Sequence, residues 1–425
     1  MTDTSARPDG LSAYIAVTAA YWAFMLTDGA LRMLVLLHFH TIGFSPVQLA
    51  YLFVLYEVAG MVTNLCAGWI AARFGLTATL YAGLGIQVLA LLALTQLDPD
   101  WAIGASVAFV MMVQGASGVA KDLAKMSSKS AVKILAPARG DGLFRWVAIL
   151  TGSKNVVKGL GFLLGAALLA ALGFATAVLG MAAILAVILL AVLIAMPAGL
   201  PKGRKGAKFS EVFSKSANVN RLSAARVFLF GARDVWFVVG IPIYFYAVLS
   251  DGSEAGNRAA FFLIGTFMSL WIILYGAIQA SAPRILRAGM RNEAELVSSA
   301  GGWAWVLAAV PAVLTVAAWA ASGPQMWLTM TLIAGLLLFG GLFAINSALH
   351  SYLILAFTKA ERVTMDVGFY YMANAAGRLA GTVLSGLTYQ VGGLTLMLGT
   401  ATVMVAASAV VSGRLSHVQQ ENEAK

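Results

Sequence analysis

The sequence predicts an all-α polytopic membrane protein, with twelve transmembrane helices in two pseudo-symmetric six-helix bundles. Three observations predict it. Of 425 residues, 60% are hydrophobic and 11% charged, against about 45–50% and about 25% in a soluble domain. Apolar runs of about 20 residues or more recur along the chain, and about 20 helical residues cross a ~30 Å hydrocarbon core. One polar, basic stretch, "MPAGLPKGRKGAKFSEVFSKSANVNR", divides those runs into six and six.

The elements follow in order. The first ten residues, "MTDTSARPDG", are polar. The run behind them is too long for the apolar core of a signal peptide and lacks a cleavage pattern, so it reads as an uncleaved first span. Spans are expected near 12–39, 46–72, 77–96, 101–124, 143–171 and 174–196. The second set is expected near 221–249, 258–281, 296–321, 325–350, 364–390 and 392–412. This gives an N-terminal bundle over 1–197, a linker over 198–220 and a C-terminal bundle with a short tail over 221–425. Pro242 and Pro311 fall inside spans and are expected to kink them. "GLGFLLGAALLAALG" (Gly159 to Gly173) is a small-residue run that permits close helix contact. Trp69, Trp101 and Trp327 fall at span ends, as interfacial belts do.

Charge asymmetry gives the orientation. Loops after the even-numbered spans carry Arg73, the series Lys121 to Arg145, Lys202 to Arg221, Arg284, Arg287 and Arg291, and Lys359 with Arg362. On the other side Arg258 is the only basic loop residue. The positive-inside rule then places both termini and the linker in the cytoplasm. The +10 net charge is therefore a topology signal, and no basic soluble module for nucleic acid is present. Lys121, Lys125, Lys129 and Lys133 recur every four residues at the end of the fourth span. Such a stripe reads either as an anchor on anionic headgroups or as a docking face or funnel for an acidic ligand.

Several chemistries are excluded. The lone Cys66 forms no internal disulfide or multi-thiolate metal site, and His38, His40, His350 and His417 do not cluster at ligand spacing. There is no Walker A sequence, no activated nucleophile and no metal set, so no enzyme activity, cofactor or metal is expected.

The residues that carry information are the charges inside spans. They are Asp28 and Arg32, Glu57, Lys154 and Lys158, Arg226, Arg233 and Asp234, and Arg378: six basic against three acidic. A charge at the bilayer centre costs about 2.5–3.5 kcal/mol even on a lenient scale, so these groups must face an interior or a water-filled cavity. Pairing, for example of Asp28 with Arg32 at i,i+4, absorbs three cations and leaves about three. An anion is the natural occupant of that surplus. Arginine's planar fork suits phosphate and carboxylate bidentately, and lysine adds a compact charge. Arg32, Lys154, Lys158, Arg233 and Arg378 are the candidate substrate-binding residues. Asp28, Glu57 and Asp234 are the candidate counter-ions or proton-coupling groups, and Arg226 is placed nearest a mouth. The two halves also echo each other. "DGALR" has a counterpart in "FGARD" (Phe230 to Asp234), and "NVVKGLG" (Asn155 to Gly161) has one in "NAAGRLAG" (Asn374 to Gly381), as in transporters built from repeats.

The six-plus-six layout resembles the major facilitator superfamily. Its loop motif after the second span stands here as "GWIAARFG", with Gly68, Arg73 and Gly75 in place, Ala72 where an aspartate is usual, and Leu76 and Thr77 where basic residues are usual. Longer segments are similar to the organoarsenical efflux permeases of the ArsJ type. They are "YWAFMLTDGALRMLVLLHFH", "LYEVAGMVTNLCAGWIAARFGL", "SGVAKDLAKMSSKSAVK", "LFRWVAILTGSKNVVKGLGFLLG" and "FSKSANVNRLSAARVFLFGARDVWFVVGIP". That resemblance implies export of 1-arseno-3-phosphoglycerate across a bacterial inner membrane, with a glyceraldehyde-3-phosphate dehydrogenase supplying the ester. Breakdown of the ester outside would give arsenate resistance. A pump for thiophilic trivalent arsenic would call for sulfur ligands, and Cys66 is alone.

The expected mechanism is alternating access by a monomer, with residues 1–197 rocking against 221–425 around a midplane site. Arg32 and Arg233 would hold one anionic group, and Lys154, Lys158 and Arg378 the other. Asp28 and Asp234 would reset the basic residues in the empty state. The rival readings are an organophosphate or organic-anion antiporter of the same fold, and a membrane receptor or scaffold for an anion, which would need a soluble output module.

Overall fold

The computed structural model describes residues 8–135, 142–196, 213–286, 293–321, 323–358 and 363–415. All regular structure among them is helical. The N-terminal helices are α1 (Pro8–Thr41), α2 (Pro46–Tyr51), α3 (Val54–Phe74), α4 (Leu76–Leu94), α5 (Ile103–Leu135), α6 (Gly142–Leu172) and α7 (Phe174–Ala195). Then come α8 (Ala217–Val235), a π turn (Trp236–Gly240), α9 (Ile241–Leu249), α10 (Glu254–Ile285), α11 (Glu293–Ala320), α12 (Met326–Ala356) and α13 (Val363–Ser412). Among the described residues, 11 helices are long and apolar enough to cross a membrane. The chain is a multi-pass membrane protein.

Most of the linker lies outside the described residues, as do Arg287, Arg291, Lys359 and Arg362 and the side chains of Trp69, Arg73, Lys129, Lys133 and Arg145. Trp101 and Trp327 are exposed at helix ends. Two tight connections rest on glycine. Gly75 (φ 80°) joins α3 to α4 and Gly173 (φ 72°) joins α6 to α7, each in the region that L side chains avoid. In the connection before α10, the Ser253 hydroxyl and N–H both donate to Asp251 (2.6 and 2.9 Å), holding that carboxyl below the usual carboxylate range.

The expected second span is broken at Leu52 and Phe53 into α2 and α3. Where two last spans were expected, one 50-residue helix, α13, runs through non-helical backbone at Gly392 and Gly393. Its packing on α8 shows that the chain reverses there. Gly377, Gly381 and Ser385 lie in turn against Val227, Gly231 and Val239–Gly240. Beyond the glycines, Met397, Met404 and Ser408 meet Gly240, Gly231 and Ala225, in the opposite direction. α13 is therefore a pair of antiparallel arms.

Pro242 follows the π turn. Proline has no N–H, and its ring crowds the carbonyl four residues back, so the helix widens just ahead of it, with Ile241 N–H bonded to Trp236 O. The backbone N–H groups of Val239 and Gly240 both donate to Ser385 Oγ at 3.2 Å. Pro311 lies inside α11, where Thr315 Oγ1 donates to its carbonyl at 2.7 Å.

Packing divides the chain into two compact units. The first is Met1–Phe44, Tyr51–Phe209 and Ser250–Ile273, and the second is Ser45–Ala50, Ser210–Leu249 and Leu274–Lys425. Within the first, α1 and α6 cross at glycines. A Cβ at Gly29 would stand 2.6 Å from Lys158 O, and one at Gly161 would stand 2.5 Å from Leu26 O. A Cβ at Gly159 would stand 2.9 Å from Ser269 O of α10, so the small-residue run permits close approach there too. In the second unit α8 and the first arm of α13 cross in the same manner. A Cβ at Gly381 would meet the Gly231 carbonyl and lie 2.8 Å from Asp234 Cβ. The segments that echo each other in the sequence are the crossing segments of both units.

Candidate functional site

These crossings carry the charges. Asp28 falls midway along the 27-residue apolar stretch Ile15–Thr41, and Arg233 midway along the 33-residue stretch Ala217–Leu249. Lys158 and Arg378 lie near the middle of α6 and of the first arm of α13. No carboxylate or base sits at such depth in α4 or α7.

In the first unit, Asp28 is 3% exposed. Its Oδ1 accepts from Tyr56 Oη at 2.6 Å, and its Oδ2 pairs with Lys158 Nζ at 3.1 Å. Arg32 Nη2 pairs with Glu57 Oε1 at 3.1 Å, and Glu57 is fully buried. The i,i+4 pair expected of Asp28 and Arg32 is thus not the one that forms. Helix spacing allowed it, but α6 and α3 bring better-placed partners, and Glu57 rather than Asp28 is the counter-ion of Arg32. Lys154 is half-buried one turn before Lys158 on α6.

Tyr56 is the hub of this cluster. While its hydroxyl holds Asp28, Lys121 Nζ lies 4.2 Å from its ring centroid and the Arg32 guanidinium 5.4 Å. Such contacts stabilise a cation by about 0.5–2 kcal/mol each. Lys121 also pairs with Asp122 at 3.6 Å, and Lys125 pairs with Asp122 at 3.2 Å and donates to Asn64 Oδ1 at 2.8 Å. Asn64 Nδ2 in turn donates to Asp122 Oδ2 at 3.3 Å. Lys121 and Lys125 therefore belong to the interior, and the headgroup-anchor reading of the lysine stripe is corrected for these two. Asp122, fully buried, is an acid that sequence reasoning missed. "AKDLAK" has the composition of a helix end, and only the position of Asn64 on α3 shows that its charges are buried in protein.

In the second unit one carboxylate serves two guanidiniums. Asp234 Oδ1 meets Arg233 Nη2 at 2.5 Å and Nε at 2.6 Å, and its Oδ2 meets Arg378 Nε at 3.3 Å. Arg233 also lies over the rings of Phe230 (4.9 Å) and Phe343 (5.6 Å). Arg226 is 4% exposed, against the expectation of a mouth. It stands nine residues into α8, far enough from the polar "NVNR" for Phe230 and Tyr370 to close over it.

In the first unit's cluster, Arg32, Lys121, Lys125, Lys154 and Lys158 face Asp28, Glu57 and Asp122. In the second, Arg233 and Arg378 meet Asp234. Among the described residues each cluster carries more cations than carboxylates, five against three in the first and two against one in the second. Low-dielectric surroundings strengthen any anion contact made there. Among the described residues no group of three or more His, Cys, Asp or Glu side chains is placed to hold a metal.

No protein-family model and no curated protein sequence matches the chain. Solved structures do. A proton-dependent oligopeptide transporter aligns over 94% of this chain and 96% of its own, with 14% identity and a TM-score of 0.67. A POT family transporter in complex with 5-aminolevulinic acid aligns over 96% of both chains, with 14% identity and a TM-score of 0.70. A variant of the nucleoside transporter NupG aligns over 95% of this chain and 98% of its own, with 16% identity and a TM-score of 0.66. The chain shares the fold of these transporters.

Proposed function

We propose that the chain is a secondary transporter that exports a small organic oxyanion, the arsenate ester 1-arseno-3-phosphoglycerate, by alternating access. The observation that carries this is the pair of mid-depth clusters, each with more buried cations than carboxylates. A neutral solute has no use for that surplus, whereas a solute with two acidic groups gives each cluster an anion to bind. Arg32, Lys154 and Lys158 act in the first unit, and Arg233 and Arg378 in the second. The structural likeness to transporters supports transport over catalysis. The sequence resemblance to organoarsenical permeases narrows the oxyanion to the ester and its source to a glyceraldehyde-3-phosphate dehydrogenase.

In this reading the helix with paired arms crosses twice, giving twelve spans in two six-helix bundles. The termini lie on the cytoplasmic side of a bacterial inner membrane, and the transporter acts as a monomer. Asp28, Glu57 and Asp234 hold the cations between cycles. When the solute takes a cation, its carboxylate loses a stabilising neighbour and gains proton affinity, which couples transport to protons.

Everted vesicles supplied with arsenate, glyceraldehyde 3-phosphate, NAD and the dehydrogenase test the proposal. Arsenic is expected to accumulate only when the dehydrogenase is present. Equal accumulation without it removes the ester as substrate. Exchange of phosphate or an ordinary organophosphate in its place would favour the antiporter reading.

A further inference from the structure

Arg226 has no place in that scheme, and its surroundings are unusual. It lies on α8 seven residues before Arg233, two turns or about 10 Å along the axis. The Phe230 ring takes both guanidiniums, at 4.0 Å from Arg226 and 4.9 Å from Arg233. The nearest carboxylate on the helix, Asp234, is engaged by Arg233 and Arg378. Arg226 Nη1 donates to the Ser347 carbonyl at 3.1 Å, and Nε has no partner. Tyr370 lies beside it, with the ring centroid 4.9 Å from the guanidinium and a fully buried hydroxyl close to Ser351. His350, fully buried, stands on α12 one turn after Ser347, whose carbonyl takes Arg226. Its Nε2 is 3.4 Å from Ser412 Oγ, and its Nδ1 is unpartnered.

A guanidine N–H and an imidazole nitrogen are thus buried without partners, with a phenol hydroxyl beside the same cation. Buried polar atoms are paired in more than about nine cases in ten, so two at one charge, next to a third donor, point to a ligand. Aromatic faces attract a cation but bring no counter-charge, and bonding one carbonyl needs no charge at all. What completes the set is a group that accepts directional hydrogen bonds from N–H and O–H donors and carries negative charge. An oxyanion does both.

We infer that Arg226, Tyr370 and His350 form an oxyanion-binding station in the second unit, distinct from the Arg233–Asp234–Arg378 cluster, for a phosphate-like or carboxylate group. It deepens the transport reading and rests on it only for whether that group belongs to the transported solute or is a free inorganic anion.

The test uses the full-length protein purified in detergent, with thermal unfolding followed against inorganic phosphate and against chloride at matched ionic strength. An Arg378→Gln background weakens the other cluster. There phosphate is expected to raise the melting temperature with saturation, and chloride to leave it unchanged. Adding Arg226→Gln is expected to raise the half-saturating phosphate about tenfold or more, the usual loss for a charge-assisted contact. Tyr370→Phe removes one hydroxyl without changing shape. It is expected to raise the half-saturating concentration severalfold, and it carries the test if Arg226→Gln fails to fold. An unchanged phosphate response in the variants, or an equal response to chloride, overturns the station. Reduced vesicle export by Tyr370→Phe assigns the station to the solute, and unchanged export with weakened phosphate binding assigns it to a free inorganic anion. Export by the wild type with no phosphate response would overturn the station and leave the transport reading standing.

Discussion

In the first unit each buried carboxylate meets its own cations: Asp28 with Lys158, Glu57 with Arg32, and Asp122 with Lys121 and Lys125. In the second, Asp234 holds both Arg233 and Arg378, and Arg226 has no carboxylate partner among the described residues. The first unit also interposes a tyrosine hydroxyl and aromatic face between its charges, whereas the second stacks guanidiniums on phenylalanines. Similar helix crossings therefore carry different electrostatics. In the proposed cycle the first unit's three carboxylates, two in single pairs and Asp122 shared by two lysines, are the places where a cation is exchanged for a proton. In the same reading the planar donors of the second, which share the one carboxylate of Asp234, grip an oxyanion bidentately.

The comparison breaks most readily at Asp234. Asp234→Asn strands two buried guanidiniums and is expected to destabilise the protein by about 3–5 kcal/mol. Asp28→Asn strands one ammonium and keeps a polar partner for Tyr56, so about 1–3 kcal/mol is expected. Thermal unfolding in detergent checks the order, and an equal or reversed pair of losses would remove the asymmetry. Tyr56→Phe is of similar size to Asp28→Asn. It keeps the ring under Lys121 and Arg32 but takes a hydrogen bond from a charged acceptor, an expected loss of about 1.5–3 kcal/mol. If Tyr56 couples the pairs of its unit, Tyr56→Phe and Lys158→Met will be non-additive in a double-mutant cycle, and simple additivity would reduce it to a bystander. The smallest effect expected is that of Ser385→Ala, about 1–2 kcal/mol. It leaves the N–H groups of Val239 and Gly240 without their acceptor in a turn already departing from α geometry. A loss of transport far beyond that loss of stability would show that the turn beside Arg233 moves during the cycle.

Much of the fold was legible in the sequence, because a membrane-spanning helix must satisfy its own backbone and show a long apolar run to lipid. The division expected between 390 and 392 falls beside Gly392 and Gly393, where α13 leaves helical geometry. Partners were not legible. Asp28 and Arg32 stand at a spacing that permits a pair, yet which cation reaches which carboxylate is decided by where α3 and α6 lie. Asp122 and Arg226 were misplaced for a related reason. Each stands near polar sequence that resembles a helix end, and burial there comes from other helices, Asn64 on α3 in one case and Tyr370 on α13 in the other. The π turn had one sign, Pro242, which marks an irregularity without saying that the helix would widen rather than bend.

The most direct measurement is dehydrogenase-dependent arsenic uptake by everted vesicles carrying equal amounts of wild type, Arg32→Gln or Arg233→Gln. Loss of a bidentate anion contact costs at least about tenfold. Both variants are therefore expected to transport at less than about a tenth of the wild-type rate, with Arg233→Gln the lower of the two. Wild-type uptake by both would contradict the assignment of these mid-membrane cations to the transported anion.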